Sequence, residues 1–476
     1  LLKHSIIQNI DNFLSAKVEG TGSEPVAMDS APHVGLNTHC VVGGAHAFIL
    51  RVSSFFGLAP LKFESRSDGL TVSISSAMCI YSYVLVTVLV ICTVFGLAAE
   101  IYVGVELSVR MSSRMSQVVS TCDVLVVVAT AGAGVYGAPH RMRNMLKFME
   151  SVAVVDNSIG GKYSKATEQK LCAVLLSILI FFTVLLTDDF CFYALQARKT
   201  NRQWDVVTNY IGFYLLWYVV MVLELQFAFT ALSVRARFEA VNDALALTAR
   251  QVSIPLEKPK NSPPLNIYAI QVAPADTQRS ANVSLLVDSM PSLEQPVIVR
   301  RSVRGGSRLA ISPCEAVRRL AALHGTLCEV VRCVDASYGL PLIVVLISTL
   351  LHLIVTPYFL IMEISVSTNR VHFLVLQFLW CLTHMLRMMV VVEPCHYTIT
   401  EVCKSKRTES LVCRLMNSAP SAGSLPSRIE LFSRQLMLQS VSYSPLGMCT
   451  LHRPLVASVR TNTNIESFSV SLPTAW

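Results

Sequence analysis

The chain has 476 residues, of which 53% are hydrophobic and 15% charged, with a net charge of +8. Soluble domains carry about a quarter charged residues, so this composition excludes a water-soluble globule of this length. With a mean hydropathy of +0.52, much of the surface is expected to face lipid.

Residues 1–46 are mixed in character and read as a cytoplasmic N-terminal tail. The first residues, LLKHSIIQNI, lack the basic and apolar regions of a cleaved signal peptide. Ala47 to Leu61 reads as an amphipathic helix closed by a Gly-x-x-Pro stop. Six apolar runs follow, each close to or above the roughly 20 residues that cross a bilayer. They are Ile74–Ala99, Val118–Gly137, Leu171–Thr187, Val206–Val234, Ala336–Met362 and Val371–Val392. Leu436 to Val459 reads as a partial seventh, followed by an atypical polar tail, 460–476, that begins at Arg460. The fold class is therefore all-α, a polytopic membrane protein with six clear spans. The expected organisation is a tail (1–46), spans one to four (47–250), a disordered cytoplasmic insertion (251–312), and a cytoplasmic helix leading into spans five and six, an anchor helix and the start of helix seven (313–459).

Lysine and arginine gather on cytoplasmic loops. The loops after spans two, four and six hold Arg141, Arg143 and Lys147, then Arg235 and Arg237, then Lys404, Lys406 and Arg407. The alternate loops are poorer in such residues, so the N-terminus is expected inside. That orientation is opposite to that of G-protein-coupled receptors.

Fourteen cysteines lie scattered through the chain, many within apolar runs and without a CxxC pair, and read as small buried hydrophobes. No metal site and no cofactor is expected. Gly132, Gly134 and Gly137 spell GxGxxG with Asp156 placed like a ribose-binding acid. No series of strand–helix units follows, and small residues in a membrane helix serve close packing. That packing reading is preferred, and a dinucleotide enzyme ranks last.

Asp188 and Asp189 end span three and read as the point where the helix meets water, rather than as a cation-gathering mouth. Span four sets Tyr210, Tyr214, Trp217 and Tyr218 on one side of its outer half. Tyr210 suits an interfacial belt; Tyr214, Trp217 and Tyr218 suit a ligand-stacking wall. Glu224, near mid-membrane, demands a partner or water. Asn282-Val-Ser284 matches a glycosylation sequon but falls in the inner insertion and reads as chance. Span five brings His352, Thr356 and Tyr358 towards its outer half. Span six aligns Gln377, Trp380, His384 and Arg387 in one stripe, with Arg387 expected to snorkel to the inner surface. The candidate ligand-binding residues are Tyr214, Trp217, Tyr218, His352, Tyr358, Gln377 and Trp380.

Three stretches resemble the insect gustatory receptor family, which is related to the odorant receptors. They are RVSSFFGLAPL (Arg51–Leu61), the segment Leu323–Val331 running on to Asp335, Tyr338 and Gly339, and the C-terminal region. The last contains CKSKRTESLVCRLMN, then Glu430, Phe432, Gln435, Tyr443 and Gly447, then Leu451–Leu455. The resemblance covers most of 47–459. It departs at His452, where the family usually carries an acid. The family's Thr-Tyr and Gln-Phe hallmark in the last helix is also missing, and Arg460–Trp476 stands in its place. The resemblance implies a tastant-gated, non-selective cation channel with seven helices, built as a homo- or hetero-tetramer. Its expected place is the plasma membrane of a sensory neuron. It implies no enzyme activity and no nucleic-acid partner. The chain as it stands is expected not to conduct alone. An odorant receptor-type channel and a membrane transporter using Glu224, His352 and His384 are the competing readings.

Overall fold

Apolar runs in lipid must satisfy their own backbone hydrogen bonds, and helices do this within one segment. The computed structural model shows the consequence in ten helices among the described residues. These residues are 40–42, 44–66, 69–104, 108, 111, 114–159, 162–253, 297–300, 307–366, 371–402, 406–419, 424–439, 441–451 and 453. The helices are α1 (Gly44–Phe55), α2 (Ser76–Val103), α3 (Arg114–Tyr136), α4 (Ala138–Ile159), α5 (Lys162–Arg198), α6 (Gln203–Ser253), α7 (Pro313–Val366), α8 (Val371–Glu401), α9 (Lys406–Ser418) and α10 (Leu425–Leu438). Six of them, α2, α3, α5, α6, α7 and α8, are long and apolar enough to cross a membrane. These are the six spans expected from the sequence.

Helix α6 is the central post. In its most apolar stretch 83% of residues are buried, against 22% in both α2 and α5, whose flanks face lipid. Close crossings make this possible. Gly96 of α2 sits so near α6 that a Cβ there would lie 2.0 Å from the Asn209 carbonyl oxygen, and Gly212 of α6 answers against Leu89, Cys92 and Thr93. Helices α6 and α7 have 51 and 54 residues. At 1.5 Å per residue each is about 75–80 Å long, well over the ~30 Å hydrocarbon core. Their inner ends leave the bilayer and pack with α4, α9 and α10.

Short strands add a feature the hydrophobic pattern does not announce. Helix α1 ends at Phe55, short of the expected Leu61, because Gly57 takes φ +75° and turns the chain. Strands β1 (Cys40–Val42), β2 (Leu61–Arg66) and β3 (Gly69–Ile74) form an antiparallel sheet with β3 central. A second ladder pairs β4 (Ile298–Arg300) with β5 (Ser307–Leu309). It lies inside the stretch read as an insertion, of which 254–296 and 301–306 fall outside the described residues. The sequon at Asn282 and the chain beyond Arg453, including 460–476, also fall outside them.

Two boundaries are corrected. Helix α5 runs on through Asp188 and Asp189 to Arg198 instead of ending at that acidic pair. The described part of Leu436–Val459 is not one helix: α10 stops at Leu438, and a 3-10 turn forms at Pro445–Gly447. Proline and a glycine at φ +70° break the apolar run there.

The GxGxxG glycines serve packing at one position. A Cβ on Gly134 would meet Leu223 at 3.0 Å and Leu58 at 3.2 Å, whereas Gly132 and Gly137 face atoms of their own segment. Asp156 is held by Arg237 at 2.7 Å, and Arg237 also binds Glu168 at 2.6 Å, tying α4, α5 and α6 together at the inner side. Burial raises the Asp156 carboxyl above its ordinary value, against the pull of Arg237.

Candidate functional site

A helix that carries a charge into the membrane must bring its partner from a neighbour. In the outer half of the bundle five helices obey this rule at one place. Asp189 of α5 is 4% exposed. It accepts the hydroxyl of Tyr214 (α6) and the indole N–H of Trp380 (α8), the latter at 3.2 Å. This corrects the expectation that Asp189 only marks the water boundary. Because α5 continues past it, the carboxylate points into the bundle, where two aromatic donors satisfy it.

Trp217 of α6 lies one turn inward from Tyr214. Its ring meets Trp380 at 5.7 Å, Phe182 of α5 at 6.1 Å and His352 of α7 at 5.3 Å. His384 of α8 stacks on His352 at 4.5 Å and on Trp380 at 5.5 Å. His352 Nε2 stands 2.8 Å from Asp123 of α3, while its Nδ1 faces the Ser348 carbonyl. A carbonyl only accepts, so Nδ1 must donate to it, leaving Nε2 facing the Asp123 carboxyl.

Arg387 of α8 closes the inner side. It is 1% exposed and grips Glu224, itself 1% exposed, through Nη2 at 2.6 Å and Nε at 3.1 Å. Its guanidinium also lies 4.7 Å over the Trp217 ring. The expectation that Arg387 snorkels is therefore wrong. Glu224 lies across from it at the same depth, and a fully paired guanidinium has no reason to reach for water.

Of the seven candidate ligand residues, four converge here: Tyr214, Trp217, His352 and Trp380. Tyr218 stands at the margin, stacked on Phe56 of the α1 turn at 6.0 Å and edge-on to Phe182 at 6.3 Å. Gln377 is half-buried one turn outward of Trp380, and Tyr358 is 45% exposed, away from the cluster. Sequence reading did not name Asp123 or Phe182 as candidates; it weighed Asp189 only as a water boundary or a cation mouth, and His384 only in the span-six stripe and the transporter reading. The available signal for Asp123 is its solitude, a single acid in an apolar run, which requires a partner elsewhere.

The rings are closely interdigitated. The crevice beneath them, lined by Phe182, Met221 and Arg387, has no room for a water molecule. A ligand reaching Asp189 from outside would have to displace the Tyr214 hydroxyl or the Trp380 indole from it.

The C-terminal motif residues form a separate, structural cluster. Phe432 is 1% exposed and meets His324 of α7 edge-on at 5.7 Å. Gln435 donates to the Ala321 carbonyl at 3.0 Å, over Gly325. Tyr443 is fully buried beside Phe227, and the Ser444 N–H donates to Asp335 at 2.9 Å. Gly447 ends the turn, which lies across Gly339. Glu430 is the exception, pairing at the surface with Arg434. Phe432 and Gln435 thus fasten the chain after α8 onto α7, Tyr443 packs against α6, and Gly447 shapes the turn that crosses α7 at Gly339. His452 lies outside the described residues.

Comparison with known proteins agrees with this architecture. Residues 46–461 match the family described as 7tm chemosensory receptor, and the chain belongs to that family. It is 27% identical over 420 residues to the gustatory receptor for sugar taste 43a of Drosophila melanogaster, covering 86% of this chain and 93% of that one. Its fold is similar to that of the insect olfactory receptor OR5 from Machilis hrabei, solved in complex with eugenol. The TM-score is 0.55 at 10% identity, over 88% of this chain and 95% of the other. The protein is a membrane-spanning chemosensory receptor.

Proposed function

We propose that the chain is a subunit of a ligand-gated cation channel at the surface of a sensory neuron, gated by a small, hydroxyl-rich tastant. The observation that carries the ligand class is the buried Asp189 carboxylate on the indole N–H of Trp380, whose ring packs against Trp217, with the half-buried Asp123 held on His352 beside them. Indole faces pack against the C–H faces of a sugar or polyol, and carboxylates accept its hydroxyls. The similarity to a receptor named for sugar taste points the same way. Family membership supports a receptor over an enzyme. A transporter reading is disfavoured by the Arg387–Glu224 pair, which commits the acid it would need.

Gating then follows as a population shift. A ligand that separates α8 from α5 and α6 favours an arrangement other than the packed cluster by its differential affinity for it. Assembly as a tetramer is part of the proposal. The test is cation entry in cells expressing the chain while monosaccharides, disaccharides and polyols are applied. A response to some of them, lost in Trp380→Ala at equal surface expression, supports the reading. Responses confined to apolar odorants would refute the ligand class.

A further inference from the structure

A second cavity begins next to the crevice beneath the aromatic rings and runs between the inner halves of α5, α6 and α8. It holds about 480 Å³ and opens sideways rather than into the core. Its walls are mostly apolar, with Leu171 and Val174 from α5, Leu232 from α6 and Met389 from α8, while Thr167, Glu239 and Glu393 also line it. Val174 is 56% exposed and Met389 37%, so the mouth faces lipid. At the inner end stand Arg235 and Tyr397.

Arg235 is the unusual member. Among the described residues it forms no ion pair, and its Nε is buried without a hydrogen-bond partner. Its guanidinium lies 4.8 Å over the Tyr397 ring. A second guanidinium, Arg453, lies 5.3 Å from that ring, yet Arg453 is committed to Glu393 at 3.0 and 3.2 Å and to the Tyr397 hydroxyl at 3.1 Å. Glu393 is thereby occupied, and Glu239, one turn beyond Arg235, makes no ion pair with it. A half-buried guanidinium held by an aromatic face keeps its planar donor edge for a ligand. The ligand it fits is a phosphate whose apolar tail follows the groove into the bilayer.

We infer that this groove binds one anionic phospholipid of the leaflet on the Arg235 side, its phosphate on Arg235 and one acyl chain along Leu171, Val174 and Met389. Basic pockets between spans at the cytoplasmic side select anionic headgroups in this way.

Native mass spectrometry of the purified full chain, with phosphatidylglycerol or phosphatidylcholine of matched chain length, tests the inference. Retention of phosphatidylglycerol about fivefold above phosphatidylcholine is expected. Arg235→Gln should bring that ratio to about one, and Arg235→Lys should keep most of it. Leu171→Trp, which fills the groove while leaving Arg235 in place, should remove bound lipid of both kinds. Equal retention by the wild type, or a preference unchanged in Arg235→Gln, overturns the inference. So does displacement of the lipid by excess inorganic phosphate, which would make this a soluble-anion site. Were Arg235→Gln to fail to fold, Leu171→Trp alone decides, since retained lipid in that variant contradicts the groove.

Discussion

Arg387 of α8 and Glu224 of α6 meet at 2.6 Å in the middle of the membrane, each 1% exposed. Removing one partner leaves a charge stranded where neither water nor lipid can solvate it. Such losses cost about 3–5 kcal/mol, whereas replacing both partners by apolar groups is often near neutral. Arg387→Met and Glu224→Leu should each lower the thermal midpoint of the detergent-purified protein sharply, and the double variant should recover most of the loss. Singles that melt like the wild type would show that the pair does not hold α6 to α8.

The tryptophan in the outer cluster separates packing from hydrogen bonding. Trp380→Phe keeps an aromatic ring against Trp217 and His384 but removes the N–H that Asp189 accepts. A hydrogen bond to a charged group contributes about 1.5–3 kcal/mol. If the ligand competes for Asp189, agonist potency in Trp380→Phe should move by about tenfold or more, with little change in surface expression. Trp380→Ala, which also opens a cavity, should lose both potency and several kcal/mol of stability. Unchanged potency in the phenylalanine variant would remove Asp189 from the ligand's path.

The helix crossings make a steric prediction. In Gly96→Ala the new methyl would lie 2.0 Å from the Asn209 carbonyl oxygen, so α2 and α6 must part. Gly132→Ala meets nothing closer than 3.8 Å. Size-exclusion profiles should show Gly96→Ala aggregated or absent and Gly132→Ala near wild type, slightly stabilised by the better helix propensity of alanine. A monodisperse Gly96→Ala protein would contradict the crossing.

The inner network should be sensitive to pH in a defined sense. Burial holds the Asp156 carboxyl above its ordinary value. A raised folded value means that this group favours the folded state when protonated, and that its contribution is lost as pH rises through the folded value. Asp156→Asn should therefore flatten the fall in thermal midpoint that sets in as pH rises above the ordinary carboxylate value of about 4. Arg237 keeps Glu168 at 2.6 Å in that variant, so the fold should survive. An Asp156→Asn profile that tracks the wild type would show that another group sets the slope.

The spans were legible in the sequence because uncharged runs of bilayer length have few other solutions. The four converging site residues were legible for a related reason, since aromatic and polar side chains spaced along one helix face must share a neighbour. Partners were not legible. Nothing along the chain says that Asp123 faces His352, 229 positions away, or that Arg387 faces Glu224 rather than water. Asp189 was misread because the apolar run ends before the helix does, and a carboxylate can be buried wherever an indole and a phenol reach it. The small sheet is not legible because β2 and β3 lie between two strong helical signals and span only six residues each, too few for a clear alternation.

The central claim, that the outer cluster binds a hydroxyl-rich ligand, is tested most directly by saturation-transfer difference NMR on the purified full chain with a panel of sugars and polyols. This method detects weak binding without requiring current. The account predicts transfer to the C–H protons of at least one sugar, lost in Trp217→Ala and in Trp380→Ala proteins that remain monodisperse. Undiminished transfer in both variants would place the ligand elsewhere and contradict the account.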